Sequence, residues 1–219
     1  MLKKIKKQLL NKFNPLGFEN FLETIPPNSR ILDVGCGNDS PRKVKSVLPN
    51  CYYIGIDICD YNQSSKVFAD EYHIVEKEIF NKTIDSFSNI DVVISYHNIE
   101  HVNNRKECLN AMKKVLKRNG LLYLVTPSEN SIFFPSRNGT LNYYDDITHK
   151  LTPLRFADTI NNLKHNGFKI IKSRKQYRPI VFFIIGLFKE LFKPQKTTFY
   201  SWCFYGFESI ILAKKNNLV

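Results

Sequence analysis

Short apolar runs alternate with amphipathic segments along most of the 219-residue chain. The apolar runs end at turn signals and predict strands over residues 30–34, 51–57, 72–75, 91–95, 121–125, 168–173 and 208–214. Apolar residues at helical spacing predict helices over residues 16–24, 103–117 and 153–166, and one more after Ser40. Strands that alternate with helices predict a doubly wound α/β fold, whose ligands bind beyond the carboxyl ends of the strands.

The first predicted strand ends in a turn with two glycines, Gly35 and Gly37, and the second strand ends in Asp57. Glycine lacks the Cβ atom that would keep a ligand away from the backbone. An acid at the end of the next strand can accept hydrogen bonds from both hydroxyls of a ribose. These two features together predict a nucleoside site at the carboxyl edge of the sheet.

Two cofactor classes use such a site, and the residues around the glycines separate them. A dinucleotide site has a third glycine beside the helix N-terminus that binds pyrophosphate, and this chain has Ser40 there. Asp33, two residues before the first glycine, would repel a pyrophosphate but attract an ammonium group such as that of S-adenosylmethionine. The pattern therefore disfavours a nicotinamide-dependent oxidoreductase.

The segment Asp33-Val34-Gly35-Cys36-Gly37 resembles the first motif of the class I S-adenosylmethionine-dependent methyltransferases. In that family the acid and the glycines hold the methionyl part of the cofactor, and the acid after the second strand holds the ribose. The resemblance implies these roles for Asp33, Gly35, Gly37 and Asp57. The family often has a third glycine where this chain has Asp39.

The resemblance extends over residues 30–127, with Glu100-His101 before a helix and Asn119-Gly120 before the fifth strand. It implies a Rossmann-like methyltransferase fold: a single domain with a mostly parallel sheet and an antiparallel last strand. We also assign Ser95 and His97, at the end of the fourth strand, to the cofactor site. We expect Glu100-His101 to anchor the loop that follows this strand.

A polar, aromatic-rich loop over residues 128–152 follows the fifth strand, where this family builds its acceptor pocket. A sulfonium methyl group is already electrophilic, so the enzyme mainly aligns the acceptor and removes a proton if the nucleophile is a hydroxyl. His149 lies in this loop, and an imidazole titrates near neutral pH. We therefore predict His149 as the general base, oriented by Asp146 or Asp145.

The net charge of +12 is unevenly distributed, with +4 over residues 1–30, −2 over residues 31–149 and +10 over residues 150–219. Solvated basic faces explain this, and so does attraction to an anionic partner such as lipid, a phosphorylated substrate or RNA. The five cysteines are an odd number without C-x-x-C spacing. They predict no disulfide framework, no bound metal and a reducing cytoplasm.

Lysines interleave with apolar residues at helical spacing over residues 1–13, which predicts a basic amphipathic helix. This helix would either cap the cofactor site or lie on an anionic membrane surface. We therefore set residues 1–27 apart as N-terminal basic helices and assign residues 28–219 to the methyltransferase domain.

A hydrophobic insert at residues 179–207 separates the last two predicted strands. Its uncharged run at residues 180–188 is too short to span a bilayer, which takes about 20 residues. Such a helix must be covered by its own domain, by a second subunit or by the lipid interface. The surrounding lysines and arginines favour lipid, with Phe182, Phe183 and Phe188 as anchors.

The acceptor is less constrained than the cofactor. The tetrapeptide Ser95-Tyr96-His97-Asn98 replaces the Asn-Pro-Pro-Tyr type motif of amine-directed nucleic-acid methyltransferases, and no RNA module is recognisable. The loop sequences at residues 134–137 and 143–149 are similar to those of small methyltransferases from bacterial surface-polysaccharide clusters.

We therefore expect a cytoplasmic enzyme, at the inner face of the membrane if the lipid interpretation holds, that O-methylates a sugar or glycan intermediate. A lipophilic, quinone-like molecule and RNA are the alternative acceptors, and a homodimer through the insert is the alternative partner. A catalytically silent scaffold that binds S-adenosylmethionine is the alternative of another class.

Overall fold

The computed structural model describes residues 12–61, 64–149 and 151–216. The strands in this part of the chain are β1 (Arg30–Val34), β2 (Tyr52–Asp57), β3 (Glu71–Ile74), β4 (Ile90–Tyr96), β5 (Leu116–Pro127), β6 (Phe168–Arg174) and β7 (Glu208–Lys215). The helices are α1 (Phe18–Leu22), α2 (Ser40–Val47), α3 (Phe80–Ser86), α4 (Arg105–Val115), α5 (Phe156–His165), α6 (Ile180–Glu190) and α7 (Phe199–Tyr205). The amphipathic helix predicted over residues 1–13 falls almost entirely outside the described residues.

The seven strands form one sheet in the order β3-β2-β1-β4-β5-β7-β6. Strands β1 to β5 pair in parallel, whereas β7 runs antiparallel to both β5 and β6. This confirms the predicted doubly wound fold with its antiparallel end. The winding direction changes between β1 and β4, and in such sheets a ligand crevice opens at that point beyond the carboxyl ends of the strands.

Helices cover the sheet on both faces, so the central strands are apolar on both sides. One core contains buried residues of α3, α4 and α5, and the other contains buried residues of α1 and α2. Phe21 of α1 stacks on Tyr123 of β5 with ring centroids 4.3 Å apart, and the Tyr123 hydroxyl donates to the Leu16 carbonyl at 2.8 Å. The described part of the N-terminal segment therefore packs directly on the sheet.

The apolar insert forms a helical hairpin, α6 and α7, between β6 and β7. Gly186 allows the two helices to approach closely, because a Cβ atom at this position would lie 2.3 Å from the carbonyl oxygen of Tyr200. Glu190 at the end of α6 forms a bidentate ion pair with Arg137, with N–O distances of 3.0 and 2.7 Å. This pair joins the hairpin to the loop that follows β5.

The two sides of α6 have different surroundings. Phe182 is buried, and Phe183 stacks on Phe204 of α7 with ring centroids 5.6 Å apart. We call the other side the outer face; it consists of the exposed residues Ile180, Ile184, Leu187 and Phe188 together with Leu191 and Phe192 just beyond the helix. The prediction that Phe182 acts as a lipid anchor is therefore wrong; Phe183 is half-buried and Phe188 is exposed. In the described part of the chain, no helix combines the length and apolar character that crossing a membrane requires.

We expect Gly186→Ala to lower the free energy of unfolding by about 1–3 kcal/mol, because the added methyl group forces α6 and α7 apart. Urea unfolding of the purified protein measures this. Ile184→Ala, on the outer face of the same helix, is the matched control and should change the free energy by no more than about 0.5 kcal/mol. Equal stability of Gly186→Ala and the unaltered protein would show that the hairpin is not closely packed.

Candidate active site

A cleft of about 1710 Å³ opens at the carboxyl edge of the sheet, at the switch point between β1 and β4. We call one part of its lining the cofactor half; it includes Asp33, Gly35, Gly37, Asn38, Asp57, Ile58 and Tyr61. We call the other part the aromatic half; it includes Phe18, Tyr96, Tyr177, Phe182, Phe199 and Trp202. Four of the six predicted cofactor residues thus lie in one half of a single cleft.

Positive backbone angles shape the turn after β1. Gly35 has a φ of +72° and Gly37 a φ of +53°, in the left-handed region that favours glycine. A Cβ atom on Gly35 would lie 2.3 Å from the side-chain oxygen of Asn98, so this glycine lets the loops after β1 and β4 meet. A Cβ atom on Gly37 would meet nothing closer than 3.9 Å. Asp39 also has a left-handed φ of 72°, so it keeps the conformation that a third glycine would have.

Asp33 is the most deeply placed group of the cofactor half, with 1% of its surface exposed. Its Oδ2 accepts hydrogen bonds from the hydroxyls of Ser40, at 2.5 Å, and Tyr53, at 2.7 Å. Burial raises the pKa of Asp33 to about 6, although these two hydrogen bonds act in the opposite direction. Without a ligand, Asp33 thus has a pKa not far below neutral pH. An ammonium group bound in the cleft would favour the ionised form of its side chain.

Asp57 connects the turn after β1 with the end of β2. Its Oδ2 accepts from the backbone N–H of Gly37 and its Oδ1 from the N–H of Ile58, both at 2.7 Å. Burial raises the pKa of Asp57, and the amide donors partly offset this rise. Each carboxylate oxygen has a further lone pair, so Asp57 can still accept hydrogen bonds from the hydroxyls of a ribose.

His97 lies between two carboxylates at the floor of the aromatic half. Its Nδ1 is 3.1 Å from Glu100 Oε1, and its Nε2 is 3.2 Å from Glu208 Oε1, which also accepts from the Tyr96 hydroxyl at 2.5 Å. Burial alone would lower the pKa of His97, but Glu100 and Glu208 outweigh it and raise the pKa to about 9. The ring lies 5.8 Å from the Trp202 ring. These carboxylates favour the protonated ring, which lines the same cleft beside Trp202, and the assignment of His97 to the cofactor stays a prediction.

Among the predicted cofactor residues, Ser95 does not line the cleft. Its side chain is fully buried within β4, and it is not among the described residues that line the cleft. The hydroxyl has no hydrogen-bond partner in the described part of the chain. This position gives Ser95 no direct contact with a ligand in the cleft.

Asp145 fixes the loop after β5. Its Oδ1 accepts from the Ser136 hydroxyl, and its Oδ2 accepts from the backbone N–H groups of Arg137, Leu141 and Asn142. Burial would raise the pKa of Asp145, but these hydrogen bonds hold it below the usual value. Since all four partners belong to the loop itself, the contacts assign Asp145 to loop structure and not to the orientation of His149.

His149 lies behind His101 in the wall of the cleft. Its ring stacks on Tyr143 at 4.2 Å and lies 4.6 Å from the ring of His101, which itself lines the cleft. Nδ1 of His149 is 2.5 Å from the Tyr143 carbonyl oxygen. Because a carbonyl only accepts, Nδ1 carries the proton, and Nε2 is the nitrogen with a lone pair.

Asp146 lines the cleft and orients His101, not His149 as we predicted. The Thr148 hydroxyl donates to Asp146 Oδ1 at 2.6 Å, so it is free to accept from Nδ1 of His101, 2.8 Å away. The lone pair of His101 then lies on Nε2. Burial lowers the pKa of His101, which favours the neutral ring.

Four residues of the site were not found from the sequence: Ser40, Tyr53, Asn98 and Glu208. The sequence did indicate that Ser40 is near the site, because this residue stands where a dinucleotide site has its last glycine. Glu208 had a weaker signal, as an isolated acid at the start of an apolar strand. Tyr53 and Asn98 act on partners 20 and 63 positions away, Asp33 and Gly35, and nothing local indicates these contacts.

Comparisons with known proteins agree with this geometry. The family model described as a methyltransferase domain matches residues 5–173. The chain is similar to a solved S-adenosylmethionine-dependent methyltransferase from Archaeoglobus fulgidus, with a TM-score of 0.56 and 18% identity over 97% of this chain and 94% of that one. At this identity the likeness concerns the fold alone.

Two curated relatives are similar over about half of the chain, and both are named tRNA (carboxymethyluridine(34)-5-O)-methyltransferase. The relative from Arabidopsis thaliana is 31% identical over 111 residues, which is 48% of this chain and 25% of the relative. The relative from Schizosaccharomyces pombe is 30% identical over 105 residues, which is 45% of this chain and 41% of the relative. The matches thus span less than half the length of these relatives.

We expect the affinity for S-adenosylhomocysteine to fall as the pH is lowered through about 6, because protonated Asp33 no longer attracts an ammonium group. Asp33→Asn should weaken binding by about 1.5–3 kcal/mol at pH 7.5 and should reduce this pH dependence. Isothermal titration calorimetry across the pH range measures both effects. Asp158→Asn, at an exposed helix position, is the control; identical pH profiles for Asp33→Asn and the unaltered protein would remove Asp33 from the ammonium site.

Proposed function

The chain belongs to the methyltransferase-domain family and is an S-adenosylmethionine-dependent methyltransferase, and we propose that its acceptor is a hydroxyl group of a sugar carried on a lipid. The observation that carries this proposal is the position of α6. Phe182 of this helix lines the aromatic half of the cleft, and the outer face of the same helix is apolar and exposed. A lipid in contact with the outer face would hold a polar headgroup close to the reacting centre.

The cofactor half fits S-adenosylmethionine. Asp33 would hold the ammonium group, Asp57 would hold the ribose hydroxyls, and the open space at Gly37 lets a ligand approach the backbone. The bound cofactor supplies an electrophilic methyl group on a sulfonium. The chain itself positions the acceptor, excludes water and takes part in moving the acceptor proton.

The aromatic half suits an uncharged ring that carries hydroxyl groups. Phe18 and Tyr96 meet edge to face at 5.7 Å, and Trp202 adds a third aromatic surface. Pockets of this kind combine apolar walls with a few polar groups that fix orientation. Here the polar groups are His97 and Glu208, and a carboxylate accepts hydrogen bonds from hydroxyls.

The charge of the cleft favours a neutral acceptor over a polyanion. Among the described residues, eight acidic side chains line the cleft, with two lysines, Lys43 and Lys77. A surface of this charge repels the phosphates of RNA and tolerates a sugar. It also attracts a cofactor that carries an ammonium and a sulfonium group.

The surroundings of the outer face fit an anionic membrane surface. Lys189 and Lys193 lie among its apolar residues, and both are exposed. Each such cation near an anionic surface contributes about 1 kcal/mol before screening. The exposed phenylalanines Phe188 and Phe192 supply the apolar contact that makes attachment of this kind persist at higher salt.

RNA is the second candidate acceptor, and the names of the two curated relatives favour it. The +10 charge of residues 150–219 is compatible with a polyanion. Against it stands the acidic lining of the cleft. An RNA acceptor would have to present a nucleoside to the cleft while its phosphates remain on the basic outer surface.

We expect transfer of a labelled methyl group from S-adenosylmethionine to lipid-linked sugars when the purified enzyme is screened against lipid-linked sugars, nucleotide sugars, quinone precursors and tRNA. His149→Ala should lower turnover about 100-fold, as expected for a group that assists removal of the acceptor proton, with the affinity for S-adenosylhomocysteine retained. His165→Ala, at an exposed position, is the matched control. Methylation of tRNA alone would replace the lipid-linked sugar by the second candidate.

We also expect the protein to float with vesicles of phosphatidylcholine and phosphatidylglycerol, and much less with vesicles of phosphatidylcholine alone. Binding should weaken with added salt without vanishing, because part of it is apolar. The double variant Phe188→Ser/Phe192→Ser should lose at least about tenfold in vesicle affinity, whereas Val67→Ser, at an equally exposed position in another part of the molecule, should not. A protein that sediments as a dimer and does not float with either vesicle would assign the outer face to a second subunit.

A further inference from the structure

Glu100, His101 and His149 meet in the wall of the cleft, although they come from two separate segments. Glu100 and His101 end the short 3-10 turn Ile99–His101 after β4, and His149 belongs to the loop after β5. One donor atom of each residue lies within 4.8 Å of the donor atoms of the other two. We propose that these three side chains bind a divalent transition-metal ion, Mn²⁺ or Zn²⁺, beside the methyl acceptor.

Glu100 supplies a buried carboxylate oxygen without a hydrogen-bond partner. The residue is 2% exposed, and its Oε1 lies 3.1 Å from Nδ1 of His97. Its Oε2 is buried and has no hydrogen-bond partner in the described part of the chain. Buried carboxylate oxygens are nearly always paired in folded proteins. A cation in contact with His101 and His149 would pair this oxygen.

The hydrogen bonds of the two histidines leave the same nitrogen of each ring free to bind a metal. Nδ1 of His149 donates to the Tyr143 carbonyl, and Nδ1 of His101 donates to Thr148, whose hydroxyl donates in turn to Asp146. In both rings Nε2 therefore has the lone pair. Histidines that bind metals almost always donate their other N–H to a carbonyl or a carboxylate in this way.

The donor set indicates the class of ion. Two imidazoles and one carboxylate suit Zn²⁺ and neighbouring first-row metals, whereas Mg²⁺ and Ca²⁺ prefer oxygen ligands alone. Bonds of about 2.1 Å to a metal would place adjacent donor atoms roughly 3 to 3.5 Å apart. His101 is exposed and has room to close this gap. Three protein ligands leave positions open for an oxygen atom of the acceptor.

The chemical role of the ion rests on the proposed function. A hydroxyl bound to a divalent cation has a lowered pKa and releases its proton to water more readily. Its oxygen then attacks the methyl carbon, so a C–O bond forms as the C–S bond breaks and S-adenosylhomocysteine leaves. His149 acts in this scheme as a ligand, and Asp146 acts as a positioning residue through Thr148 and His101.

Isothermal titration of the tag-free, metal-stripped protein with MnCl₂, and separately with ZnCl₂, tests the site without an acceptor. We expect one ion per chain and at least about tenfold weaker binding in Glu100→Gln and His101→Asn, and about 10- to 100-fold weaker binding in Thr148→Val, the range for losing a group that orients a ligand. His165→Asn, an exposed histidine elsewhere, should bind as the unaltered protein does.

Thermal unfolding and S-adenosylhomocysteine affinity of each variant show whether it is folded. If Glu100→Gln fails to fold, the exposed positions His101 and Thr148 decide the result. Absence of binding by both ions would overturn the proposal, and so would unchanged binding in His101→Asn and Thr148→Val. Ion binding without methylation of any lipid-linked sugar would keep the site and remove the proposed acceptor. Sugar methylation by a protein that binds neither ion would keep the proposed acceptor and remove the metal site.

Discussion

The burial of carboxylates at one edge of a parallel sheet is the constraint on which the site depends. A buried carboxylate is stable only if donors or cations surround it. Asp33 receives hydroxyls from Ser40 and Tyr53, and Asp57 receives two backbone amides. Tyr53 lies on β2 and Gly37 follows β1, so a shift in the register of β1 against β2 would take one donor from each acid. Correct pairing of β1 with β2 is therefore also needed to form the cofactor half.

The helical hairpin extends this principle to the acceptor side. Glu208, at the start of β7, reaches Tyr96 and His97 at the end of β4, so the antiparallel strand contributes an acid to the same edge as the parallel strands. The hairpin inserted before β7 then adds Trp202 and Phe182 to the lining of the same cleft. The bidentate pair of Arg137 and Glu190 holds the hairpin against the loop after β5. The aromatic half of the cleft is thus built from the sheet and from the insert.

The fold and the cofactor motif could be predicted from the sequence because both are local in the chain. Alternating strands and helices specify the doubly wound sheet, and a short segment around Gly35 contains most of the turn. The acceptor side could not be predicted in the same way, because its contacts join distant residues, as in the pair His97 and Glu208. Hydrophobicity also cannot distinguish the two sides of a helix that is apolar all round. Phe182 and Phe188 look alike in the sequence, yet one is buried and the other exposed.

The uneven charge of the chain follows from two opposite requirements that act on different surfaces. Acidic side chains outnumber lysines in the described lining of the cleft, which would favour a cationic cofactor and, under the two proposals above, a divalent ion at Glu100 and a neutral acceptor. The segment 150–219 carries a formal charge of +10, and its exposed lysines would draw the enzyme toward anionic headgroups. A net charge of the same sign on both surfaces would weaken one of these attractions. Under the proposed function, the residue order along α6 would decide which side of this helix faces the cleft and which side faces the membrane.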